Sequence, residues 1–314
     1  MENLYHYSSI DTFEKMLLDY DNERCLFLSF WATHHRYMND PTEFQLGAYA
    51  YKRNIKKVED ELRIPSNKRF SNYLFDDLFN FYATVLENSK RPLGESVHKE
   101  GGAIQSDSYV ISFSENRDCI PMWGIYGDYG KGIALGFNKN KLYCKHKIEQ
   151  LAGSSLIRCL YCNINDNSVA CPEEEYELTK DIYKNVTNPK VIKSFNRVFN
   201  YVGQGLHPNT FHNIFIGMIH YIGSRTKNNS YAFENEWRLV ISNHATYSIK
   251  FRSKNCMENV PYLEVYIPLD ALNEIIIGPT RNYIESKQKI ERFLIAKNID
   301  PKTIAISQSK APFR

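Results

Sequence analysis

Net charge is nearly absent from this sequence. Thirty-nine Lys and Arg stand against 36 Asp and Glu, leaving +3 over 314 residues, too little to mark a nucleic-acid binder by bulk charge. Basic residues do recur locally, along 52–57 and 139–147. Long hydrophobic runs are also missing. The most apolar helical stretch, Ile214 to Ile222, contains His220 and falls far short of the roughly 20 residues a membrane span needs. The opening Met1-Glu2-Asn3-Leu4-Tyr5-His6 has neither a basic nor an apolar signal region, so no secretory signal is expected. Cysteine is sparse: seven residues, an odd number scattered along the chain, fit a reducing compartment better than a disulfide scaffold. A cytoplasmic location is the expectation. There is no internal repeat and no G-x-S-x-G nucleophile elbow. Gly130-Lys131-Gly132 precedes a strand rather than a helix and lacks the terminal Ser or Thr, so it is a turn and not a phosphate loop.

What the chain has in quantity is aromatic side chains, 22 Tyr and 18 Phe within a 43% hydrophobic composition. That balance is globular and favours strands. Strands are predicted at Leu4–Tyr7, Leu26–Phe30, Tyr109–Ser114, Gly132–Phe137, Leu156–Ile164, Trp237–Ile241, Leu263–Pro268 and Asn273–Gly278. Ser8-Ser9-Ile10-Asp11 starts a helix with a hydroxyl cap and an acidic first turn. Asn39-Asp40-Pro41 opens a second helix, Pro121–Gly127 is a short helix or turn, and Tyr283–Ala296 is a helix. Helical pattern fills about 44–87 and 173–223, whereas 88–107 reads as a mobile loop. Strands interspersed with helical inserts, without βαβ regularity, predict an α+β fold. The organisation expected is a single domain over 1–314.

Five constellations can carry chemistry. Glu234-Asn235-Glu236 precedes an apolar strand, and strand alternation would put both carboxylates on one face, suited to stabilising an oxocarbenium ion. The bland alternative is a solvated strand entry with a salt bridge to Arg238. His6 in the first strand could donate to a ribose hydroxyl or a phosphate, or be an ordinary structural histidine. Ser112 and Ser114 share a strand face, with Phe113 on the other. Cys144, His146, Cys159, Cys162 and Cys171 raise the question of zinc, but Cys159 and Cys162 lie in a predicted strand, where residues three apart face oppositely. They are assigned to the core, and no metal is expected. A nuclease metal site from Glu43, Glu234 and Glu236 lacks the expected Asp/Glu/Lys grouping.

Several of these strings resemble a known family. Leu4-Tyr5-His6-Tyr7-Ser8-Ser9-Ile10-Asp11, Asn39-Asp40-Pro41 with Glu43, Ser112-Phe113-Ser114-Glu115 with Pro121-Met122-Trp123 and Tyr126-Gly127, Glu234-x-Glu236-Trp237-Arg238, and Ser307 with Pro312-Phe313-Arg314 are similar, in order, to blocks of the bacterial domain-of-unknown-function family 2971. The order of the functional blocks also resembles the ADP-ribosyltransferases. That resemblance implies a split β-sheet core with helical insertions, and NAD as substrate. It implies that His6, Tyr7, Ser112, Ser114 and Tyr126 bind NAD. His6 would hold the adenine-side ribose, the two serines would shape the nicotinamide pocket, and Tyr7 or Tyr126 would stack on nicotinamide. Glu236 would contact the nicotinamide ribose, and Glu234 would position or deprotonate the acceptor.

The resulting expectation is an NAD-dependent ADP-ribosyltransferase or NADase. It would act on a protein, a nucleic acid or water, as a toxin or antiviral defence effector, with a possible inhibitory partner and no membrane association. The alternative is a non-catalytic nucleic-acid-binding module that uses exposed aromatics and the two basic stretches.

Overall fold

The computed structural model describes residues 3–20, 24–38, 43–66, 69, 71, 108–142, 154–165, 168–170, 173–186, 222–242, 249–254 and 257–313. The proposed loop at 88–107, the turn at Asn39-Asp40-Pro41, Cys144, His146, Cys171 and Arg314 lie outside these, as do parts of both helical inserts. The chain divides into two compact units, one of residues 1–39, 107–159 and 230–314, the other of 40–106 and 160–229.

The larger unit is built on one extensive sheet. Its strands are β1 (Asn3–Ser8), β2 (Leu17–Tyr20), β3 (Arg24–His34), β4 (Ser108–Ser114), β5 (Ile133–Asn138), β6 (Ser154–Arg158), β10 (Glu236–Ser242), β11 (Lys250–Lys254), β12 (Met257–Pro268), β13 (Leu272–Ile277) and β14 (Ala305–Gln308). They run in the order β11-β12-β3-β4-β1-β5-β13-β14, with β10 and then β6 added at β4 and with β2 on β3. All pairs are antiparallel except β13 with β14. The mixed, mostly antiparallel sheet with helices makes the fold α+β.

Strand alternation sorts the side chains of this sheet onto two faces. Leu4, Phe30, Tyr109, Ile111, Phe113, Leu135, Phe137, Leu239 and Ile241 project to one face and form the main core. Helix α1 (Ile10–Met16) closes that core with Phe13 and Met16. The later helix at Tyr283–Ala296 contributes Ile290 and Leu294. The sequence explains α1: Ser9 caps it, its Oγ accepting the Thr12 amide at 3.1 Å. The two helices are also tied by Lys289 to Asp11, at 2.7 Å.

The opposite face carries a smaller cluster of Tyr5, Tyr7, Trp123, Met122, Ala134 and Ile276. Trp123 and Met122 come from the short helix Ile120–Ile125, which has proline in its first turn. Asp118 is the clamp of this region. Its carboxylate accepts from Trp123 Nε1 at 2.7 Å, Ser309 Oγ at 2.6 Å and the Lys310 amide at 2.7 Å. Burial alone would raise its pKa, but these donors and nearby Arg117 hold it below the usual aspartate value. Two glycines are dictated by contact here. Gly130 has φ +78° and sits against the Phe313 ring, and a Cβ on Gly132 would stand 2.2 Å from the Ser8 carbonyl oxygen.

The smaller unit contains helices α2 (Glu43–Glu61) and Glu173–Val186 and the sheet β8-β7-β9, formed by Ser168–Ala170, Leu160–Asn165 and Thr226–Asn228. On α2, Leu46, Ala50, Tyr51, Ile55 and Val58 recur at helical spacing and are buried. The helices meet through Lys180 to Glu61 at 2.7 Å and Tyr183 to Glu59 at 3.3 Å. The two helical inserts expected at about 44–87 and 173–223 both fall largely in this unit. No helix among the described residues is long and apolar enough to cross a membrane.

Candidate functional site, a cleft where the sheet divides along strand β4

One edge of β4 is paired with β10 along its whole length, from Ser108↔Ser242 to Ser114↔Glu236. The other edge is shared. Strand β3 occupies its first half, through Thr33↔Val110 and His34↔Tyr109. Strand β1 meets it only at Tyr5↔Ser114. Between these contacts β1 and β3 part, and among the described residues no strand covers that edge at Ile111, Ser112 and Phe113. The carbonyl of Ser112 would be an orphan acceptor there. His6 satisfies it, with Nδ1 3.0 Å from the Ser112 oxygen.

This contact settles the histidine's chemistry. A carbonyl only accepts, so Nδ1 carries the proton and Nε2 keeps the lone pair. Burial lowers the His6 pKa, partly offset by the Ser112 bond, so the ring is a neutral imidazole near pH 7. Its plane packs edge-on against Phe30, centroids 5.2 Å apart, and 5.8 Å from Phe113. The group expected to donate to a ligand therefore has its proton committed, and what remains is an acceptor.

A cavity of about 380 Å³ opens at this division, lined by His6, Ser112, Val110, Ile111 and Tyr126, by Ser29, Trp31 and Thr33 of β3, by Thr12 and Lys15 of α1, and by Arg252 of β11. Three sequence-predicted residues, His6, Ser112 and Tyr126, thus share one cavity. Ser114, Tyr7, Glu234 and Glu236 do not line it. Ser114 donates to the Glu234 carbonyl and accepts from the Asn116 amide, which fastens a turn. Tyr7 points to the opposite face from His6, against Trp123 at 4.9 Å between centroids, and its hydroxyl donates to the Asn116 carbonyl at 2.8 Å.

The two glutamates differ from the strand expectation. Glu234 ends a 3₁₀ turn, Asn229–Glu234, and Asn235 has φ +42°, so strand alternation begins only at Glu236. The left-handed residue is held by its side chain, which donates to Asn116 Oδ1 at 3.1 Å, while its carbonyl accepts the Glu115 amide at 3.0 Å. Both glutamates are buried, 3% exposed each, which removes the solvated-entry alternative. Glu234 Oε1 accepts from the Tyr126 hydroxyl at 2.7 Å. Glu236 Oε2 accepts from Arg238 at 2.9 Å and faces Cys159 Sγ at 3.6 Å. The salt bridge to Arg238 expected from sequence exists, but inside the protein.

Cys159 interrupts the strand predicted over Leu156–Ile164, and its amide donates to the Glu236 carbonyl at 2.9 Å. Among the described residues no group of three or more His, Cys, Asp or Glu side chains is arranged to hold a metal. Sequence reasoning missed Arg252, Trp31 and Lys15. Strand alternation, with Leu28, Phe30 and Ala32 in the core, held a signal that Trp31 stands on the face of Ser29 and Thr33, but nothing short of the fold brings Arg252 beside it.

Residues 122–239 match the model of the family described as "Protein of unknown function (DUF2971)", the family whose blocks the sequence resembles. The matched segment contains Tyr126, Glu234, Glu236 and Arg238 and stops short of His6, Ser112 and Ser114. No curated protein and no solved structure matches the chain.

Proposed function

We propose that the larger unit is a nucleotide-cleaving enzyme of the ADP-ribosyltransferase or NADase type, with NAD as its substrate. The observation that supports this most directly is the division of the sheet along β4. It exposes the Ser112 edge, seats a neutral His6 there, and leads through Tyr126 to the buried Glu234 carboxylate.

In this reading the bond that breaks joins nicotinamide N1 to ribose C1′. Its electron pair leaves with nicotinamide, which becomes neutral, and C1′ passes through an oxocarbenium-like state before an acceptor oxygen attacks. His6 Nε2 accepts from a ribose hydroxyl. The Ser112 hydroxyl and the Tyr126 ring shape the cavity wall. Glu234 reaches the cavity by way of the Tyr126 hydroxyl and takes the acceptor's proton, directly or through that hydroxyl. Glu236 contacts the nicotinamide ribose only if Arg238 yields its hold on the carboxylate, so Arg238 is part of the catalytic question.

A role in defence or toxicity rests on the family resemblance alone. The nucleic-acid-binding alternative has less behind it. Lys139 lies 3.7 Å from the Trp237 ring centroid, Lys57 lies 3.7 Å from that of Tyr176, and Lys141 pairs with Asp270 at 3.1 Å. These three cations of the basic stretches are engaged within the chain.

The test is nicotinamide release from NAD, with candidate protein and nucleic-acid acceptors present and absent. Wild type is expected to release nicotinamide, and Tyr126→Phe, Glu234→Gln and Glu236→Gln each to lower the rate by roughly 10²-fold or more, as loss of acid–base groups does. No release by the wild type under any of these conditions defeats the proposal.

A further inference from the structure

Arg252 carries a charge that the described protein does not balance. It stands on β11 opposite Val260, and its guanidinium carbon lies 5.2 Å from the Trp31 ring centroid and 5.5 Å from that of Tyr262. Those two rings pack on each other at 4.8 Å. One terminal nitrogen donates to Thr33 Oγ1 at 2.7 Å. Nε is shielded from water and has no hydrogen-bond partner among the described residues, and no carboxylate there pairs with the group. Cation–π contact compensates part of the burial, but an arginine stays charged, and a shielded N–H without an acceptor costs free energy.

The other charged residue of the lining, Lys15, has the same sign. Lys15 is exposed on α1, with Thr12 one turn before it, and no Asp or Glu lines the cavity among the described residues. The nearby carboxylate of Glu264 accepts from Ser29 and is itself paired with Lys250. Trp31, 46% exposed, adds an aromatic surface beside Arg252. The cavity's volume is at the lower end of small-molecule sites, suited to one mononucleotide half of a larger ligand.

We infer that the Arg252–Lys15 side of the cleft binds the phosphate of a nucleotide, with Trp31 as the surface for its base. The guanidinium fork supplies directed donors to phosphate oxygens, and Lys15 adds a second charge from the mouth. This inference rests on reading the cleft as a nucleotide site, and it adds the group that is recognised there and the residues that recognise it.

Calorimetric titration of the full chain with AMP and with adenosine, at low and at high salt, tests it. Wild type is expected to bind AMP at least about ten-fold more tightly than adenosine, with the difference shrinking as salt rises. Arg252→Gln should abolish that preference, and Lys15→Gln should reduce it about three-fold. Lys15 is exposed, so its variant carries the test even if Arg252→Gln fails to fold. Equal binding of AMP and adenosine by wild type overturns the inference, as does an undiminished preference in the Lys15 variant. AMP binding that depends on these cations, without nicotinamide release from NAD, would sink the proposed reaction and leave this site standing. Nicotinamide release that ignores both cations would do the reverse.

Discussion

Replacing Glu236 with Gln tests the structure and the chemistry together, and the two effects must be separated. Glu236 and Arg238 meet at 2.9 Å with side chains 4% and 1% exposed, so neither charge is shared with bulk water. Removing one partner of such a pair leaves the other charge buried, at a typical cost of about 3–5 kcal/mol. Glutamine keeps a carbonyl acceptor in place, so the lower end, about 3 kcal/mol, is expected. That is a large share of a domain stability of about 5–15 kcal/mol. Adding Arg238→Met removes the second charge of the pair as well, and the double variant should recover most of the loss. Urea unfolding followed by tryptophan fluorescence is the assay. The three tryptophans, Trp31, Trp123 and Trp237, all belong to the larger unit, so the signal reports on that unit. A Glu236→Gln variant within about 1 kcal/mol of wild type, or a double variant no more stable than the single, would refute the picture of a buried, mutually dependent pair. Rates measured on Glu236→Gln need correction for its folded fraction before any loss is credited to catalysis.

Gly132→Ala is expected to cost about 2–3 kcal/mol by thermal or urea unfolding, because the new methyl meets the Ser8 backbone and not a flexible side chain; a change below about 0.5 kcal/mol would contradict that approach. Asp118 has a folded pKa below its unfolded value, so it adds stability above pH 4 that is lost as pH falls through the folded pKa. Asp118→Asn should flatten that acid limb in a pH series of melting temperatures. His6 has a lowered pKa too, and because the unfolded histidine binds its proton first, stability should fall as pH drops below about 6.5. NMR titration of its ring protons should give a midpoint below 6.5, and a midpoint at or above that value would count against a neutral His6. In the smaller unit, burial raises Glu175 to about 7, eased by Arg225. Its contribution is full below pH 4.5 and declines as pH rises through 7, by up to about 3 kcal/mol. Glu175→Gln should therefore stabilise that unit at pH 8 and change little at pH 4, as read by hydrogen exchange of Glu173–Val186.

Much of the larger sheet was legible because its strands obey simple alternation. Tyr109–Ser114 placed Tyr109, Ile111 and Phe113 on the core face and the two serines on the other, and the fold keeps that division. The helix at Tyr283–Ala296 was equally plain, and the structure adds its cap, Asn282, whose side chain accepts the Ile284 and Glu285 amides. Strands β2, β11 and β14 escaped notice because they are short and draw their stability from neighbours far along the chain. The relation of Glu234 to Glu236 was misjudged for a local reason: one left-handed asparagine, fixed by a bond to Asn116, cancels the alternation that seemed to align them. His6, Ser112 and Tyr126 line one cavity, whereas Arg252 reaches it only through pairing between distant strands.

The division of the chain into two units has a consequence for the order of events during synthesis. Every residue of the smaller unit has been made by residue 229, whereas the larger one draws on residues 1–39, 107–159 and 230–314. Asp118 waits for Ser309 and Lys310, and Gly130 waits for the Phe313 ring. At about 5–20 residues per second, the ribosome needs several seconds after finishing the smaller unit to deliver those last partners. When the smaller unit is finished β1, β4 and β5 are already made, and β10, which fills one edge of β4, follows at once, but β13 and β14, which extend the sheet beyond β5, are still to come. The chain thus passes through a stage with open strand edges, which the last strands close only when the larger unit is complete.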